Sequence, residues 1–518
     1  FIAYYPHPKS CIYKLNSSYT PLFLLVSSMH AGENRPNIII ILADDMGYSD
    51  IGCMGGEIKT PNLDRLAEDG LLFTHCYNAS RSCPSRASLL TGLYQHKAGI
   101  GFMDNNLGIA SYQGFLNDKC VTIAEVLKKV DYRTIMVGKW HVGNDRKSWP
   151  DKRGFERFYG IPRGGGLYFY PSKFISRSIY KDGKKIIPDS VTFYTTDNFT
   201  MEAINYISEA HSDHVPFFLY LAYVSPHFPL QARKEDICKY KGMYNEGYRV
   251  IRNARFKKQK CLGIVADFVE LPNMDNVDYG GIDEMQQAKK MEVYAAQIDC
   301  MDRNIGRLVS YLKSINQYDN TVIIFLSDNG GSSEEVNKNP SVEIGTALSF
   351  TSYGKAWANV SNTPYRKYKQ YEHEGGILTP LIFHWPDGIK KSGQIIEVPI
   401  HIVDILPTCL DLADAKYPRI YKKRSIYPMD GVNILKKLSG KYYEQPIFWE
   451  HMGNKAIRCG DWKLVMTHGS RWELYNLRED PTELDDVSNL NVDIVTRLSV
   501  MWNKWAQENN VKNWPVVK

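Results

Sequence analysis

Four short runs of apolar residues recur along the chain, and each is followed at once by polar residues. They cover positions 38–42, 134–137, 217–224 and 322–326. Short apolar runs of this kind, of which the run at 38–42 is largely β-branched, are typical of strands that are buried on both faces of a parallel sheet. Because parallel strands end at the same edge of a sheet, the polar residues behind the four runs are expected to lie together. The pattern predicts an α/β fold with a polar site at that edge.

Helical patterns fit between these strands. Thr122 and Glu125 have the spacing of a capping box, which predicts a helix that opens there and runs to about Lys129. Apolar residues recur at helical spacing from Met291 to Leu312. This spacing predicts a long amphipathic helix ahead of the strand at 322–326, and its apolar stripe is expected to pack in the core.

The alternation of predicted strands and helices ends after about residue 421. Three short strands are predicted here, at 447–449, 462–466 and 472–474. The chain is therefore divided into a large domain at 35–421 and a C-terminal subdomain at 422–518.

The N-terminal residues 1–34 are interpreted as a leader outside the fold. The run at 21–31, PLFLLVSSMHA, is too short to span a bilayer and is typical of the apolar region and cleavage zone of a signal peptide. This predicts an exported protein, either periplasmic or secreted. No other run is long and apolar enough for a membrane helix, so no integral membrane span is predicted.

Composition and charge exclude only a few classes of function. Apolar residues make up 43% and charged residues 23% of the 518 residues, which is ordinary for a globular protein. The net charge of +6 comes without a long basic block, so nucleic acid is not an expected partner. The ten cysteines contain no C-x-x-C pair that would indicate zinc or redox chemistry. Cys238 and Cys261 are a candidate disulfide pair, with buried free thiols as the alternative.

Paired oxygen ligands follow two of the predicted strands. Asp44 and Asp45 follow the run at 38–42, and Asp328 and Asn329 follow the run at 322–326. One acidic pair alone would be read as a turn or a helix cap, but the recurrence indicates a shared site. Because the set contains oxygen ligands and no His or Cys, it favours Ca²⁺ or Mg²⁺ over zinc.

A candidate nucleophile lies in the stretch 78–92, NASRSCPSRASLLTG. Pro84 suits the first position of a helix, and Gly92 suits its end. Ser82 is then expected just ahead of the helix N-terminus, where free N–H groups favour an anion. Arg86 would add a fixed positive charge about one turn later.

These residues resemble the signature C/S-x-P-S-R-A-x-L-L-T-G of the sulfatases, within the alkaline phosphatase superfamily. In that family the first residue of the signature is oxidised to formylglycine, whose hydrate attacks sulfur. Counting back from Pro84 and Arg86 assigns this position to Ser82, whereas Cys83 falls on the variable position. The resemblance therefore implies a sulfatase with Ser-type maturation, served by a formylglycine-generating enzyme, that hydrolyses aryl or carbohydrate sulfates.

The resemblance also assigns site residues one by one. The G-K-W-H motif after the strand at 134–137 and the S-P-H-F-P motif after 217–224 match the family, as does the segment at 357–376. The implied catalytic residues are Ser82, Arg86, Lys139, His141, His227, Asp328 and Lys369. The implied metal ligands are Asp44, Asp45, Ser82, Asp328 and Asn329, with Ca²⁺ as the family's usual ion and Mg²⁺ as the alternative.

The fold implied by the resemblance is that of alkaline phosphatase, a mixed but largely parallel sheet flanked by helices. It makes 35–421 the catalytic domain and gives 422–518 a small antiparallel sheet with a closing helix. In the implied mechanism the hydrate loses a proton to Asp328, and the sulfuryl oxygens are held by the basic side chains. His227, helped by Lys369, protonates the leaving group, and His141 then accepts the proton whose loss expels sulfate.

Two other functions remain open from the sequence. A phosphohydrolase of the same superfamily would use unmodified Ser82, although only one metal set is visible. A non-catalytic protein that binds sulfated glycans would result if Ser82 were never oxidised.

Two irregular segments are candidates for substrate contacts. The loop at 162–170, PRGGGLYFY, offers aromatic side chains that are expected to be exposed, with an ordinary surface loop as the alternative. The segment 231–281 is interpreted as an insertion on the substrate side, with a solvated helical excursion as the alternative.

Four further polar residues attract attention. His96 is a candidate for the border of the site, whereas His373 is interpreted as structural. His401 and Asp404 lie one helical turn apart on an apolar helix, and a packing role is expected for both.

Overall fold

The computed structural model describes residues 35–172, 176–275, 284–439 and 442–516, so the predicted signal peptide lies outside the described residues. The strands are β1 (Asn37–Asp44), β2 (Leu71–Tyr77), β3 (Arg133–Lys139), β4 (Arg157–Ile161), β5 (Ile179–Lys181), β6 (Lys184–Ile186), β7 (Phe217–Pro226), β8 (Thr321–Ser327), β9 (Leu378–His384), β10 (Gln394–Ile396), β11 (Ile400–His401), β12 (Ile420–Tyr421), β13 (Arg424–Ser425), β14 (Ile447–His451), β15 (Asn454–Cys459), β16 (Trp462–Met466) and β17 (Glu473–Asn476). The helices are α1 (Pro61–Glu68), α2 (Ser82–Thr91), α3 (Gln95–Ala98), α4 (Ile123–Leu127), α5 (Thr195–Ser212), α6 (Lys234–Cys238), α7 (Gly247–Cys261), α8 (Glu284–Ser314), α9 (Gly354–Ser361), α10 (Glu374–Ile377), α11 (Ile405–Leu412), α12 (Ile434–Lys437) and α13 (Val492–Glu508).

One mixed sheet of eleven strands organises the large domain. Its order is β10-β2-β9-β8-β1-β7-β3-β4-β5-β6, with β11 also beside β2. The central strands β8, β1, β7, β3 and β4 are parallel, whereas β9 is antiparallel to both of its neighbours. This topology confirms the predicted fold class, a mixed and largely parallel sheet. All four predicted strands are present as β1, β3, β7 and β8, each extended by a few residues.

The central strand β1 shows why the sheet carries helices on both faces. Alternate side chains of a strand point to opposite faces. Ile39 and Ile41 belong to one apolar core, whereas Ile38 and Ile40 belong to a second core on the other face, and all four are fully buried. A continuous apolar run therefore requires two covering layers.

The predicted helices form, with small differences at their ends. α8 precedes β8, and its apolar stripe from Met291 to Leu312 is buried in the first core. The capping box of α4 is complete, because Thr122 Oγ1 accepts from the Glu125 N–H at 3.1 Å and Glu125 Oε2 accepts from the Thr122 N–H at 2.9 Å. α4 ends at Leu127, and a short 3₁₀ turn continues the chain.

The C-terminal region has an antiparallel sheet of four strands, β14-β15-β16-β17, which α13 covers through a third apolar core. Three of these strands agree with the prediction, and β15 was missed. The division of the chain at residue 421 stays a prediction. No helix within the described ranges is long and apolar enough to cross a membrane.

The candidate disulfide is wrong. Cys238 and Cys261 are both free in the structure, and both are exposed rather than buried. The two residues lie on separate helices, α6 and α7.

Candidate active site

The oxygen ligands of the two strands meet at one edge of the sheet. β1 and β8 are neighbours with Ala43 opposite Ser327, so the residues that follow them emerge side by side. The Asp45 N–H donates to Asp328 Oδ1 at 3.2 Å, and Asn329 Nδ2 donates to Asp45 Oδ1 at 2.7 Å. Asp45 has a φ of 64°, a left-handed conformation that Asp tolerates better than most residues.

Ser82 completes this cluster from the start of α2. Its Oγ lies 3.2 Å from Asp44 Oδ1 and 3.5 Å from Asn329 Oδ1. The predicted position needs a correction, because the helix begins at Ser82 and Pro84 is its third residue. The predicted end of the helix is confirmed, since Gly92 caps it with a φ of 65°.

Three buried cations neutralise the three carboxylates. Arg86 Nη2 lies 2.8 Å from Asp328 Oδ2, about one helical turn after Ser82. The other two pairs are Lys139 Nζ with Asp44 Oδ2 at 2.6 Å and Lys369 Nζ with Asp45 Oδ2 at 2.8 Å. The pairs satisfy carboxylates that would otherwise be costly to bury.

Burial and the neighbouring charges shift the pKa values of Asp44 and Asp328 in opposite directions. Burial opposes ionisation of Asp44, yet the charges of Lys139, His227 and Arg86 hold its pKa below the usual value. Burial and the negative charge of Asp44 raise the pKa of Asp328, although Arg86 counteracts them.

The donor set fits a hard divalent cation. Asp44, Asp45, Asp328 and Asn329 are all almost completely buried, and their side-chain oxygens converge on one edge of the sheet together with Ser82 Oγ. Carboxylate and amide oxygens are the ligands of Ca²⁺ and Mg²⁺. The site therefore has the composition and burial of a metal site.

Two histidines flank the cluster. His227 follows β7, and its Nε2 lies 3.5 Å from Asp45 Oδ2. His141 follows β3 by two residues, and its Nε2 lies 3.7 Å from Asp104 Oδ2. Burial and the charges of Lys139 and Arg86 hold the pKa of His141 well below its usual value. A neutral His141 can accept a proton.

A cavity of about 290 Å³ opens beside these groups. Five residues predicted from the sequence line it, and they bring together the ends of β3 and β7, the start of α2 and the segment before α10. The lining residues are Arg81, Ser82, Met103, Asp104, Lys139, His141, Arg163, Gly164, Gly165, Arg177, His227, Phe228, Glu334 and Lys369.

Comparison with known proteins agrees with this arrangement. Residues 36–415 match the family described as Sulfatase, and residues 365–506 match the family described as N-sulphoglucosamine sulphohydrolase, C-terminal. The chain belongs to the sulfatase family. It is thus a sulfuric ester hydrolase, which confirms the predicted enzyme class.

Relatives of this sulfatase include an uncharacterised sulfatase of Schizosaccharomyces pombe, 34% identical over 94% of this chain and 96% of the relative. An arylsulfatase of Klebsiella aerogenes is 36% identical over 81% of this chain and 96% of the relative. A crystal structure named Ps i-CgsB, in complex with k-i-k-neocarrahexaose, superposes with a TM-score of 0.70 at 31% identity and covers 92% of this chain and 93% of its own.

Several residues of the sulfatase cavity were missed by the sequence analysis. Arg81 precedes Ser82, and Glu334 lies five residues after Asn329, so proximity to the motifs was a usable signal for these two. Glu334 Oε2 lies 3.1 Å from Lys369 Nζ and Oε1 lies 3.4 Å from Arg81 Nη2.

Asp104 and Arg177 also line the cavity and were missed, whereas Arg163 belongs to the loop at 162–170 that is a candidate for substrate contacts. Asp104 and Arg177 are isolated charged residues outside any repeated spacing, so the sequence contained no signal for these two.

The two segments proposed for substrate contacts behave differently. In the loop at 162–170 the expected exposure of the aromatic side chains is wrong, because Tyr168 is fully buried and its hydroxyl donates to the His227 carbonyl at 2.9 Å. The loop lines the cavity with Arg163, Gly164 and Gly165 instead.

The segment 231–281 contributes none of the described residues that line the cavity, so its assignment to the substrate side is not supported. Its described part, up to residue 275, forms α6 and α7. Arg255 of α7 is buried and pairs with Asp50 at 2.7 Å and Glu57 at 2.7 Å.

The other three histidines considered in the sequence analysis do not line the cavity. His96 is buried with Nε2 2.8 Å from Glu450 Oε2, so it does not border the described site. His373 lies 3.2 Å from Glu473, in agreement with a structural role. His401 and Asp404 cap a short turn ahead of α11, which agrees with the expected packing role.

Cys83 is fully buried in the second apolar core. Burial raises the pKa of its thiol, so the thiol stays protonated at neutral pH. Ser82, and not Cys83, lines the cavity.

Proposed function

We propose that this sulfatase hydrolyses its ester with a formylglycine formed from Ser82. The observation that carries the proposal is the position of Ser82 Oγ, which lies 3.2 Å from Asp44 Oδ1 at the wall of a cavity shared with Lys139 and Lys369. A nucleophile there faces both the oxygen cluster and the positive charges that an anionic ester requires. The substrate is a sulfated small molecule or glycan, and the cavity volume suits one sulfated ring.

Asp44, Asp45, Asp328 and Asn329 would hold Ca²⁺, with Mg²⁺ as the alternative. The bound cation supplies positive charge next to the nucleophile and to the sulfuryl oxygens. The buried oxygen donors support this assignment. Three carboxylates already face three basic side chains, so a bound divalent cation would add an excess of positive charge, which the anionic ester would compensate.

The basic side chains stabilise the sulfuryl group as its charge develops. Lys139 and Lys369 line the cavity, and Arg86 pairs with Asp328 at 2.8 Å. Donors that are already held in place cost little reorganisation when the reaction occurs.

Proton transfer is divided among three residues. Asp328 accepts a proton from the nucleophile derived from Ser82, and His227, assisted by Lys369, donates a proton to the leaving oxygen. His141 accepts the proton of the second hydroxyl of the formylglycine hydrate, so that sulfate leaves and the aldehyde is restored. The lowered pKa of His141 keeps its imidazole neutral and thus free to accept a proton, although it also makes the imidazole a weaker base.

The deciding experiment joins mass spectrometry of the Ser82 peptide to an assay of sulfate release. We expect residue 82 to have lost two hydrogens in protein from the native host, and we expect inorganic sulfate to be released from sulfate esters. Phosphate release with unmodified Ser82 would favour the phosphohydrolase. Binding of sulfated glycans without turnover would favour a non-catalytic protein.

The metal assignment has its own test. Asp45→Asn is expected to reduce both bound Ca²⁺ and turnover, because it removes a charge from a hard-cation site. Elemental analysis beside the assay measures both quantities. Full activity of metal-free enzyme after chelator treatment would contradict the assignment.

We also propose that the protein is exported and meets a formylglycine-generating enzyme on its way. The run at 21–31 supports this proposal, although it lies outside the described residues. N-terminal sequencing of protein from the native host is expected to find a mature end near residues 31–35. A mature end that retained residues 22–25 would contradict export by this signal.

A further inference from the structure

Two arginines at the cavity have no role in the proposed chemistry. Arg163 is exposed and belongs to the glycine-rich loop after β4, whereas Arg177 is half-buried and precedes β5. Both line the cavity that contains Ser82. Arg177 Nε donates to the carbonyl oxygen of Gly164, the residue next to Arg163. The Arg177 guanidinium is therefore held against the backbone of the residue next to Arg163.

This backbone lies against the reacting groups. A Cβ built on Gly164 would fall 2.1 Å from His141 Nε2, so the loop contacts the imidazole edge directly. After burial, Lys139 and Arg86, the charge of Arg177 is among those that hold the pKa of His141 down. A group bound by the arginine pair would therefore lie next to the ester and on the His141 side of it.

The other charged side chains of the cavity already have partners. Lys139 pairs with Asp44, Lys369 pairs with Asp45, and Arg81 lies 3.4 Å from Glu334. Arg163 has no acidic group within ion-pair distance in the described part of the chain.

The immediate surroundings of Arg177 are also unfavourable to its charge. Burial and the positive charge of Arg163 lower the pKa of Arg177, and Asp104 offsets them only in part. Two like charges that one carboxylate offsets only in part disfavour each other, and an anion between them removes this cost. The planar fork of an arginine matches the paired oxygens of a carboxylate or a sulfate.

We propose that Arg163 and Arg177 bind a second anionic group of the substrate. This sulfatase then selects sulfate esters that carry a further sulfate or carboxylate on the same ring or on the adjacent ring. The inference rests on the proposed function, because it concerns the same cavity. It adds a specificity determinant away from the nucleophile, the metal ligands and the proton-transfer groups.

The test compares three sulfate esters built on one ring. The first carries only the scissile sulfate, the second carries an additional sulfate, and the third carries an additional carboxylate. We expect the wild-type kcat/KM to be about tenfold or more higher for each dianionic ester, on the scale of one charged hydrogen bond. The second and third esters distinguish sulfate from carboxylate as the preferred group.

Arg163→Gln and Arg177→Gln are each expected to remove this preference, measured as the ratio of kcat/KM between the dianionic and the monoanionic esters. Arg177→Lys keeps the charge and is expected to retain part of it. Arg146→Gln is the matched control, because Arg146 pairs with Asp151 at 2.6 Å and lies outside the cavity lining. A general structural disturbance would lower kcat/KM for all three esters and leave their ratio unchanged.

Binding of the same esters to the Ser82→Ala protein separates the two proposals. Turnover of all three esters at equal kcat/KM, or an unchanged ratio in both Gln variants, would overturn the arginine assignment while the proposed function stands. Tighter binding of the dianionic esters to Ser82→Ala, together with no turnover by the wild-type protein, would support the arginine pair and contradict the proposed function. Equal binding of all esters would overturn the arginine assignment on its own.

Discussion

Two buried charge networks of the sulfatase, both within the described residues, differ in their access to the cavity that contains Ser82. In the closed network Lys463 Nζ lies 2.6 Å from Glu374 Oε1 and 2.8 Å from Glu483, and Tyr77 donates to Glu374 Oε2 at 2.8 Å. Arg458 donates to the Tyr77 hydroxyl. This network joins β15 and β16 of the small sheet to β2 and α10 of the large domain. The charges of Lys463 and Arg458 outweigh burial and hold the pKa of Glu374 below its usual value.

The candidate active site has the same ingredients in a different arrangement. Its basic groups Lys139 and Lys369 pair with acids on one side and line a cavity on the other. It also holds a hydroxyl, on Ser82, at the wall of that cavity. Burial of charge is therefore common to the closed network and the candidate active site, and access to a cavity beside the Ser82 hydroxyl distinguishes the second.

Removal of the proposed nucleophile distinguishes most clearly between the role of the candidate active site and that of the closed network. Ser82→Ala is expected to reduce turnover by about 10⁶-fold, the scale of a lost nucleophile, and to leave the free energy of unfolding nearly unchanged. Sulfate release and labelling of the aldehyde by a hydrazide reagent measure the loss.

The control for Ser82 is its neighbour. Cys83→Ala is expected to keep most of the activity and all of the label, because the thiol is buried in the core and does not line the cavity. An aldehyde at residue 83 would contradict the assignment of the signature.

The closed network predicts the reverse pattern. Lys463→Met leaves Glu374 and Glu483 buried without their shared cation, so the free energy of unfolding is expected to fall by about 3–5 kcal/mol. Denaturant unfolding measures this change, and kcat at temperatures where the variant stays folded is expected to match the wild type.

Lys436→Met is the matched control, because its ion pair with Asp411 is exposed and is expected to contribute about 0–1 kcal/mol. A loss of kcat in folded Lys463→Met would show that the closed network also acts on the reaction.

The next effect concerns the basic side of the cavity. Lys369→Ala is expected to lower kcat/KM by about 10²–10³-fold, the scale of one lost oxyanion donor. Steady-state kinetics with a sulfate ester measures the loss. Lys367→Ala is the control, since Lys367 pairs with Asp275 at 3.1 Å and does not line the cavity. Equal losses in the two variants would contradict a specific role for Lys369.

Sequence patterns predicted the candidate site at the edge of the sheet, because the spacing of the residues and their positions after the strands determine which side chains meet there. The apolar runs at β1 and β8 determine where Asp44 and Asp328 emerge, and the signature around Ser82 determines its register. The resemblance then assigned Lys369, which is 324 residues away from its partner Asp45 in the chain.

The remainder depends on contacts that leave no local pattern. β15 was missed because Lys455 and Arg458 interrupt its apolar pattern, although burial of Arg458 beside Tyr77 makes that position compatible with a core. The basic residues of α7 suggested a substrate contact, yet Arg255 is paired with Asp50 and Glu57 inside the fold. A charged residue reveals its role only when its partners are known.

Substitution of Glu334 is expected to have the smallest effect of those considered. Glu334 combines features of the closed network and of the candidate active site. Its carboxylate bridges Arg81 and Lys369, but its side chain is 28% exposed at the cavity. Burial opposes its ionisation, yet Lys369 and Arg81 lower its pKa to about 2. It therefore stays ionised at neutral pH and competes with an anionic ester for both basic groups.

Glu334→Gln keeps the shape of the side chain and removes this competing charge. We expect KM for a sulfate ester to fall by about two- to fivefold, because a partly exposed pair is worth at most about 1 kcal/mol. We expect kcat to change less than KM, since Lys369 keeps its pairing with Asp45. Because a carboxyl with a lowered pKa is fully ionised above its unfolded value, the effect is expected to be constant from neutral to alkaline pH. Initial rates over a range of ester concentrations separate the two constants, with the exposed neighbour Glu335→Gln as the control. A higher KM, or a loss of kcat beyond about tenfold, would show instead that Glu334 holds Lys369 in place for the chemical step.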